Sequence, residues 1–443
     1  MTKKIKAFKA SIFHFRCFDA GSSYSSYEYV EDGLLIVENG VVKDMGSFSK
    51  LKRILPPETS VTDYSGRIIM PGFVDTHIHY PQTDIIASHG KQLLDWLKDY
   101  TYPAEKKFND YHRCRNTAGF FFDELLRNGT TCSLILPTVH VESVHALFEI
   151  AENRGMRIVS GKILMDRNAP PELRDTAEQG YHDMKSIIDR WHMKNRSSCA
   201  VIPRFALTSS EEQLEVATNL VKQTPGLLFH THLSENKNEV GAIAKQFPWS
   251  RSYLDVYDHY GLTGPKSVFA HGIHLDERDY RCLAETGSSI ALCPTSNLFL
   301  GSGLFDMKNM ESHHIRTSLG TDVGAGTSFS MFKTMAEAYK VCQLKGYYLS
   351  PMQAFCMATL GGAEILGIGH KIGNFEKGKE ADFIVIDPGK IPILERRIAN
   401  ACHLEEILFA LMILGDDRII EHCHILGEDR KPSHSKSLNA DIG

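Results

Sequence analysis

Apolar and polar positions alternate through parts of the first 66 residues with the period of two that predicts β-strands. Ile5 to Phe15 is one such run. Gly33-Leu-Leu-Ile-Val-Glu-Asn-Gly-Val-Val is another, and its Asn39-Gly40 is the dipeptide that closes a tight hairpin. A hairpin of this kind needs a partner layer to bury its apolar face. Similar short runs return near the far end, in Lys379-Glu-Ala-Asp-Phe-Ile-Val-Ile-Asp and in Ile419 to Ile425. The pattern therefore predicts one small β-sandwich domain built from both chain termini, residues 1–66 and 370–427, with the middle of the chain inserted in it.

That middle, residues 67–369, alternates short buried-strand runs with longer amphipathic stretches. The expected strands are Ile68 to Thr76, Thr131 to Leu136, Arg157 to Leu164, Ala200 to Leu207, Leu227 to Leu233, Ser267 to His271, Ser289 to Leu292 and Ile315 to Thr321. Eight strands separated by helical segments predict an α/β fold of the TIM-like (β/α)8 barrel type. Periodicity does not distinguish closure, so an open doubly wound sheet stays in play. No fixed-period repeat is visible. Residues 428–443 are polar and read as a tail.

Composition narrows the class. With 443 residues, 42% hydrophobic and 23% charged, the chain has material for a large core, which excludes intrinsic disorder. Lys plus Arg is 49 against 54 for Asp plus Glu, a net charge of −5, so the positive field that nucleic-acid polymers and anionic membranes require is missing. Ten cysteines are scattered without a C-x-x-C pair and read as the reduced thiols of a cytoplasmic protein. The basic residues in MTKKIKAFKASIFHF interrupt any signal-peptide core, and no run of 18 apolar residues suggests a membrane span.

Candidate chemistry sits at the ends of the expected strands. In Pro71-Gly-Phe-Val-Asp-Thr-His77-Ile-His79, side chains two apart on a strand share a face, so both imidazoles project together. A lone pair of this kind reads equally well as two hydrogen-bonded histidines. Phe229-His230-Thr231-His232-Leu-Ser-Glu235 repeats the pattern and adds a carboxylate three residues on; His271 closes Val268-Phe-Ala-His, and Asp322 follows Ser318-Leu-Gly-Thr. Taken singly each has a structural reading, Asp322 as a helix cap for instance. Together they occupy the C-terminal rim, where barrel enzymes gather their catalytic groups. His77, His79, His232 and Asp322 form a nitrogen and oxygen ligand set suited to Zn²⁺, or Fe²⁺, with a position left for water. Bound Zn²⁺ lowers the pKa of water from about 15.7 to near 7, and Glu235 and His271 are then the natural proton carriers.

These motifs carry a resemblance. PGFVDTHIHYPQ, HTHLSEN, AHG-x-HL, LGTDVGAGTS, ATLGGAE and IGNFEKGKEADF are together similar to the amidohydrolase superfamily and, more closely, to its guanine deaminases, over nearly the whole chain. The narrower likeness rests on Tyr80-Pro-Gln82 and Pro203-Arg204-Phe205. It implies that His77, His79, His232 and Asp322 hold one zinc ion, that Glu235 shuttles protons and that His271 holds the attacking water. It also implies that Gln82, Arg204 and Phe205, with Glu235 and His271, contact guanine, and that the enzyme is a homodimer releasing xanthine and ammonia. An amide, a guanidinium and an aromatic ring suit a purine's edge and face. A structural ion pair is the competing role for Arg204.

Other signals lead elsewhere. His403-Leu-Glu405 imitates the cytidine-deaminase motif, but no P-C-x-x-C follows. Gly320 to Gly326 lacks the dinucleotide-binding spacing and reads as close backbone approach at the rim. Strand parity aims His230 and His232 the same way, and only the match of His232-x-x-Glu235 to the family separates them. Lys162 matches no bridging-lysine motif, which favours one metal over two, and His313-His314 reads as a solvated helix end.

Overall fold

The computed structural model describes residues 4–18, 24, 26–90 and 92–433; most of the expected tail, 434–443, lies outside them. The N-terminal strands are β1 (Ile5–Phe15), β2 (Tyr27–Glu38), β3 (Val41–Ser47) and β4 (Val61–Pro71). Eight barrel positions follow: β5 (Phe73–His79), β6 (Thr130–Leu136), β7 (Arg157–Ser160) with its continuation β8 (Ile163–Leu164), β9 (Ser197–Pro203), β10 (Leu228–Leu233), β11 (Ser267–His271), β12 (Ser289–Leu292) and β13 (Thr317–Leu319). The chain ends with β14 (Phe383–Ile386), β15 (Ile420–Ile425) and β16 (Glu428–Asp429).

The terminal strands form one seven-stranded sheet in the order β16-β15-β14-β4-β1-β2-β3. Asn39 (φ 53°) and Gly40 (φ 84°) both lie in the left-handed region that a two-residue hairpin turn demands. The sheet rolls over on itself into two layers. Phe8 on β1 and His424 on β15 are three strands apart, roughly 14 Å in a flat sheet, yet their ring centroids are 5.1 Å apart. On the far side Val42 N donates to Lys379 O at 2.7 Å, tying β3 to the segment that enters β14.

The barrel strands pair in parallel from β5 to β13. They are buried on both faces, which is why they read as short apolar runs without alternation. Asp322 N donates to His77 O and His79 N to Val323 O, both at 2.9 Å, and Thr76 Oγ1 donates to Leu319 O at 3.0 Å. These bonds join the end of the last strand and the segment that leaves it to the first strand, closing the ring of eight in favour of the barrel. Gly320 makes the seam possible, since a Cβ there would sit 2.8 Å from His77 Cβ. The main core lies between strands and outer helices, with Phe73, Phe121, Phe122, Leu125 and Phe148 fully buried. Among the described residues no helix is long and apolar enough to cross a membrane.

Several expected boundaries move. Ile68 to Thr76 is two strands, not one: β4 runs to Pro71 in the small sheet, and β5 opens the barrel at Phe73. The chain changes sheets at Gly72, where a Cβ would meet Thr131 Oγ1 at 2.2 Å. The small sheet thus reaches past residue 66, and β16 takes Glu428 and Asp429 from the expected tail. The third barrel strand breaks at Gly161-Lys162, because Gly161 stands where a Cβ would be 2.0 Å from Ala200 O. The fourth stops at Pro203, and the eighth is only Thr317–Leu319. Between β14 and β15 the chain leaves the sheet to form helices Pro392–Ile398 and Leu404–Leu414. The second packs on barrel helix Met331–Leu344, with Phe409 edge-on to Tyr339 at 5.0 Å.

Candidate active site

His77 and His79 end β5 and are buried at the barrel's C-terminal mouth. Hydrogen bonds around them decide which nitrogens are free. His230 Nδ1 lies 2.7 Å from Val268 O, an acceptor, so that nitrogen carries the proton and Nε2 accepts from His77 Nδ1, also at 2.7 Å. His77 Nε2 is left as a lone pair. His232 Nδ1 donates to Arg204 O at 2.6 Å, which turns its Nε2 inward to 3.2 Å from His79 Nε2. The ambiguity of strand parity is resolved by depth: His232 reaches the mouth, and His230 stands behind His77 and orients it.

Asp322 completes the group. Its Oδ1 lies 3.1 Å from His77 Nε2 and 3.3 Å from His79 Nε2. Donor atoms of His77, His79, His232 and Asp322 all fall within 4.8 Å of one another. Among the described residues His77 Nε2 and His271 Nε2 are buried without a hydrogen-bond partner, an arrangement that would be costly unless another group completes it. Burial holds the imidazole of His79 down to about 4 and that of His232 well below its usual value, which keeps these two neutral. Three imidazoles and one carboxylate fit a divalent metal ion. Cys293 also approaches His77, His271 and Asp322, but burial pushes its thiol well above the ordinary range and keeps it protonated. Lys162 is bound elsewhere, to Asp175 at 2.8 Å and Asp183 at 2.5 Å.

Two further titratable groups, His271 and Glu235, adjoin this cluster. His271 is held by Asn297 at Nδ1 (3.0 Å), while its Nε2 points toward Glu235 Oε2 at 3.5 Å and Asp322 Oδ2 at 3.9 Å. Burial, and then the charges of Asp322 and Glu239, push Glu235 well above the usual carboxylate range. Glu239 accepts the backbone N–H of Glu235 at 2.9 Å and that of Asn236 at 3.1 Å. His271 (φ 74°) and Asp322 (φ 52°) sit in the left-handed region, a costly backbone that its surroundings enforce. For Asp322 the brace is Asp75, which accepts from Thr321 N at 3.1 Å and Thr321 Oγ1 at 2.5 Å.

A pocket opens beside the cluster, lined by His79, Gln82, Arg204, Phe205, His232, Glu235 and Asp322 among others. Leu93, Trp96 and Leu97 cover it from the helical segment that follows Gln82. Arg204 is buried, and its Nη1 donates to both oxygens of Glu105, at 2.9 and 2.7 Å. It is therefore both ion-paired and pocket-lining. Sequence reasoning placed nine residues here, and the fold brings all nine together. It passed over Trp96, Glu105, Glu239, Asn297 and Asp75. Only Glu239 carried a signal, the Asn236-x-x-Glu239 capping box; an isolated Glu105 in Tyr102-Pro-Ala-Glu105 marks nothing.

A closed barrel with such a cluster at its mouth defines a class, and the sequence comparison agrees: residues 68–428 match the amidohydrolase family model, and the chain belongs to that family. Within it, the chain is 49% identical over 403 residues to guanine deaminase from Escherichia coli K12, covering 91% of this chain and 92% of that protein. The solved E. coli guanine deaminase superposes with a TM-score of 0.93 at 47% identity, covering 96% of this chain and 99% of the other. Guanine deaminase from C. acetobutylicum, solved with guanine bound in its active site, gives 0.86 at 30% identity, covering 96% and 100%.

Proposed function

We propose that this chain is a hydrolase that converts guanine and water to xanthine and ammonia, using one divalent metal ion. The observation that carries the reading is that His79, His232 and Asp322 share one pocket with Gln82, Arg204 and Phe205, so metal donors and purine-binding groups face the same space. We take His77, His79, His232 and Asp322 as the ligands, Zn²⁺ as the ion that best suits a three-histidine, one-carboxylate set, and Fe²⁺ as the substitute. Bound there, the ion polarises a water molecule and brings its deprotonation near neutral pH.

The chain's own groups do the rest. Asp322 keeps Oδ1 toward His77 and His79 and turns Oδ2 to the His271 side, where it accepts a proton from the attacking water. His271 holds that water through Nε2. Oxygen adds to C2 of guanine, and Glu235, kept protonated by burial and its carboxylate neighbours, delivers a proton to the adjacent ring nitrogen. The proton held by Asp322 passes to the exocyclic amine, the C2–N bond breaks and ammonia leaves, while the proton of the added hydroxyl returns to Glu235 as the C2 carbonyl forms. Phe205 offers a ring face and Arg204 donors for the C6 oxygen. The same reading makes the protein a cytoplasmic homodimer of purine catabolism, which sedimentation and fractionation test directly.

Metal-loaded protein incubated with a panel of purines, pterins and triazines, with ultraviolet change and ammonia followed together, tests the function. Guanine should be the preferred substrate. Preference for another base would leave a metal-dependent aminohydrolase of different specificity, and inertness toward the whole panel would leave a non-catalytic scaffold.

A further inference from the structure

We propose that Glu105 is a positioning residue that sets the hydrogen-bonding face the pocket shows its substrate, an inference that rests on the guanine reading above. Glu105 is 1% exposed and is not among the residues that line the pocket. Its Oε1 accepts from Gln82 Nε2 at 3.2 Å and from Arg204 Nη1 at 2.9 Å, and its Oε2 accepts from the same Nη1 at 2.7 Å. Gln82 Oε1 in turn accepts from Gly324 N at 3.3 Å.

This geometry tells the two ends of an amide apart. A carboxylate only accepts and a backbone N–H only donates, so Gln82 must turn nitrogen toward Glu105 and oxygen toward Gly324. One N–H and one oxygen lone pair are then left for a ligand. Without the carboxylate, the long bond from Gly324 alone would set the amide. Arg204 spends only Nη1 on the ion pair, and its guanidinium lies over the Tyr102 ring at 5.8 Å, so a flat edge of further donors stays fixed in plane. A donor and an acceptor on Gln82 beside a donor edge on Arg204 match a neutral purine that carries a ring carbonyl, a ring N–H and ring nitrogens. The pairing also neutralises Arg204, so the uncharged ligand does not enter beside an unpaired buried cation.

Gln82, Glu105 and Arg204 come from the turn after β5, the helix Tyr102–Glu105 and the turn after β9, and Glu105 is where the three segments meet. Acting through its neighbours and away from the reacting atoms, Glu105 should govern binding and discrimination more than the chemical step.

The test is steady-state kinetics of the metal-loaded Glu105→Gln enzyme with guanine as substrate and 2,6-diaminopurine, which replaces the ring carbonyl by an amine, as competitive inhibitor. KM for guanine should rise by about tenfold to a hundredfold while kcat stays within about threefold. The ratio of the diaminopurine Ki to the guanine KM should shrink at least about tenfold. In a Gln82→Ala background the same substitution should cost much less, since the two act as a unit. An unchanged KM and ratio, or a joint fall of kcat, metal content and melting temperature, would overturn the proposal. If Glu105→Gln does not fold, Glu105→Asp decides, because it keeps the charge and withdraws the carboxylate from Gln82. A parent enzyme inert toward guanine would instead refute the function, independently of either variant.

Discussion

His-x-His occurs on strands three times, and the barrel mouth and the small sheet make different use of it. His77/His79 and His230/His232 stand on β5 and β10, His422/His424 on β15. Each pair shares a strand face. In the barrel, strands from opposite sides of a closed sheet bring three imidazoles and Asp322 to one point where solvent cannot satisfy them. In the small sheet His422 Nδ1 is bonded to Asp429 at 2.6 Å, and His424 meets Tyr64 OH at 3.3 Å with its ring stacked 4.3 Å over Phe383. Asp429 also accepts from Lys431 N and is exposed. Donor atoms there also lie within 4.8 Å of one another, but much of their capacity is spent on neighbours. Spacing along a strand sets which way imidazoles point; convergence of separate strands gathers them into a cluster that could hold a metal ion.

Substitution separates the two regions most sharply. His79→Ala should abolish tight metal binding and, with it, nearly all turnover, whereas His422→Ala should leave both unchanged. Elemental analysis beside an activity assay decides; near one equivalent per parent chain is expected, and a second equivalent lost in His422→Ala would erase the contrast.

The next effect isolates proton transfer from metal binding within the barrel. Glu235→Gln preserves shape but carries no proton, so turnover should fall by roughly 10² to 10⁴ while metal content holds. Near-normal turnover would transfer the role to another group.

Smaller again is the substrate side of the mouth. Arg204→Ala should lower kcat/KM for guanine by about tenfold to a hundredfold and weaken rejection of bases that lack the C6 oxygen. Equal loss toward every base, together with the metal, would make Arg204 structural only.

The small sheet should reveal itself in acid stability instead. Burial holds His424 down to about 4 in the folded protein, below the roughly 6.5 of an unfolded histidine. The unfolded chain therefore takes the proton first, and stability present above about pH 6.5 is lost as pH falls toward 4. His424→Phe keeps a stacked ring without a titrating group and should remove roughly 1 to 3 kcal/mol of that acid sensitivity, with turnover unchanged. Denaturant midpoints at pH 7 and pH 5 provide the comparison, and parallel loss in parent and variant would exclude His424 as the cause.

Much of this protein is local and can be read from its sequence. Alternation in Ile5–Phe15 and the Asn39-Gly40 turn specify a hairpin, and fully buried strands such as Thr130–Leu136 announce themselves as short apolar runs between amphipathic helices. That His77, His79, His232, Asp322 and Glu235 stand at strand ends was legible because strand parity and strand ends are short-range properties. What tertiary structure alone decided depends on contacts between distant segments. The seam of Thr76, His77 and His79 with Leu319, Asp322 and Val323 closes the barrel, and no periodicity encodes it. The crossing at Gly72 answers to Thr131, the choice of His232 over His230 follows from depth in the barrel, and the role of Glu105 exists only because Gln82 and Arg204 arrive beside it. A side chain's direction is set by its neighbours along the chain, but its partner is set by packing.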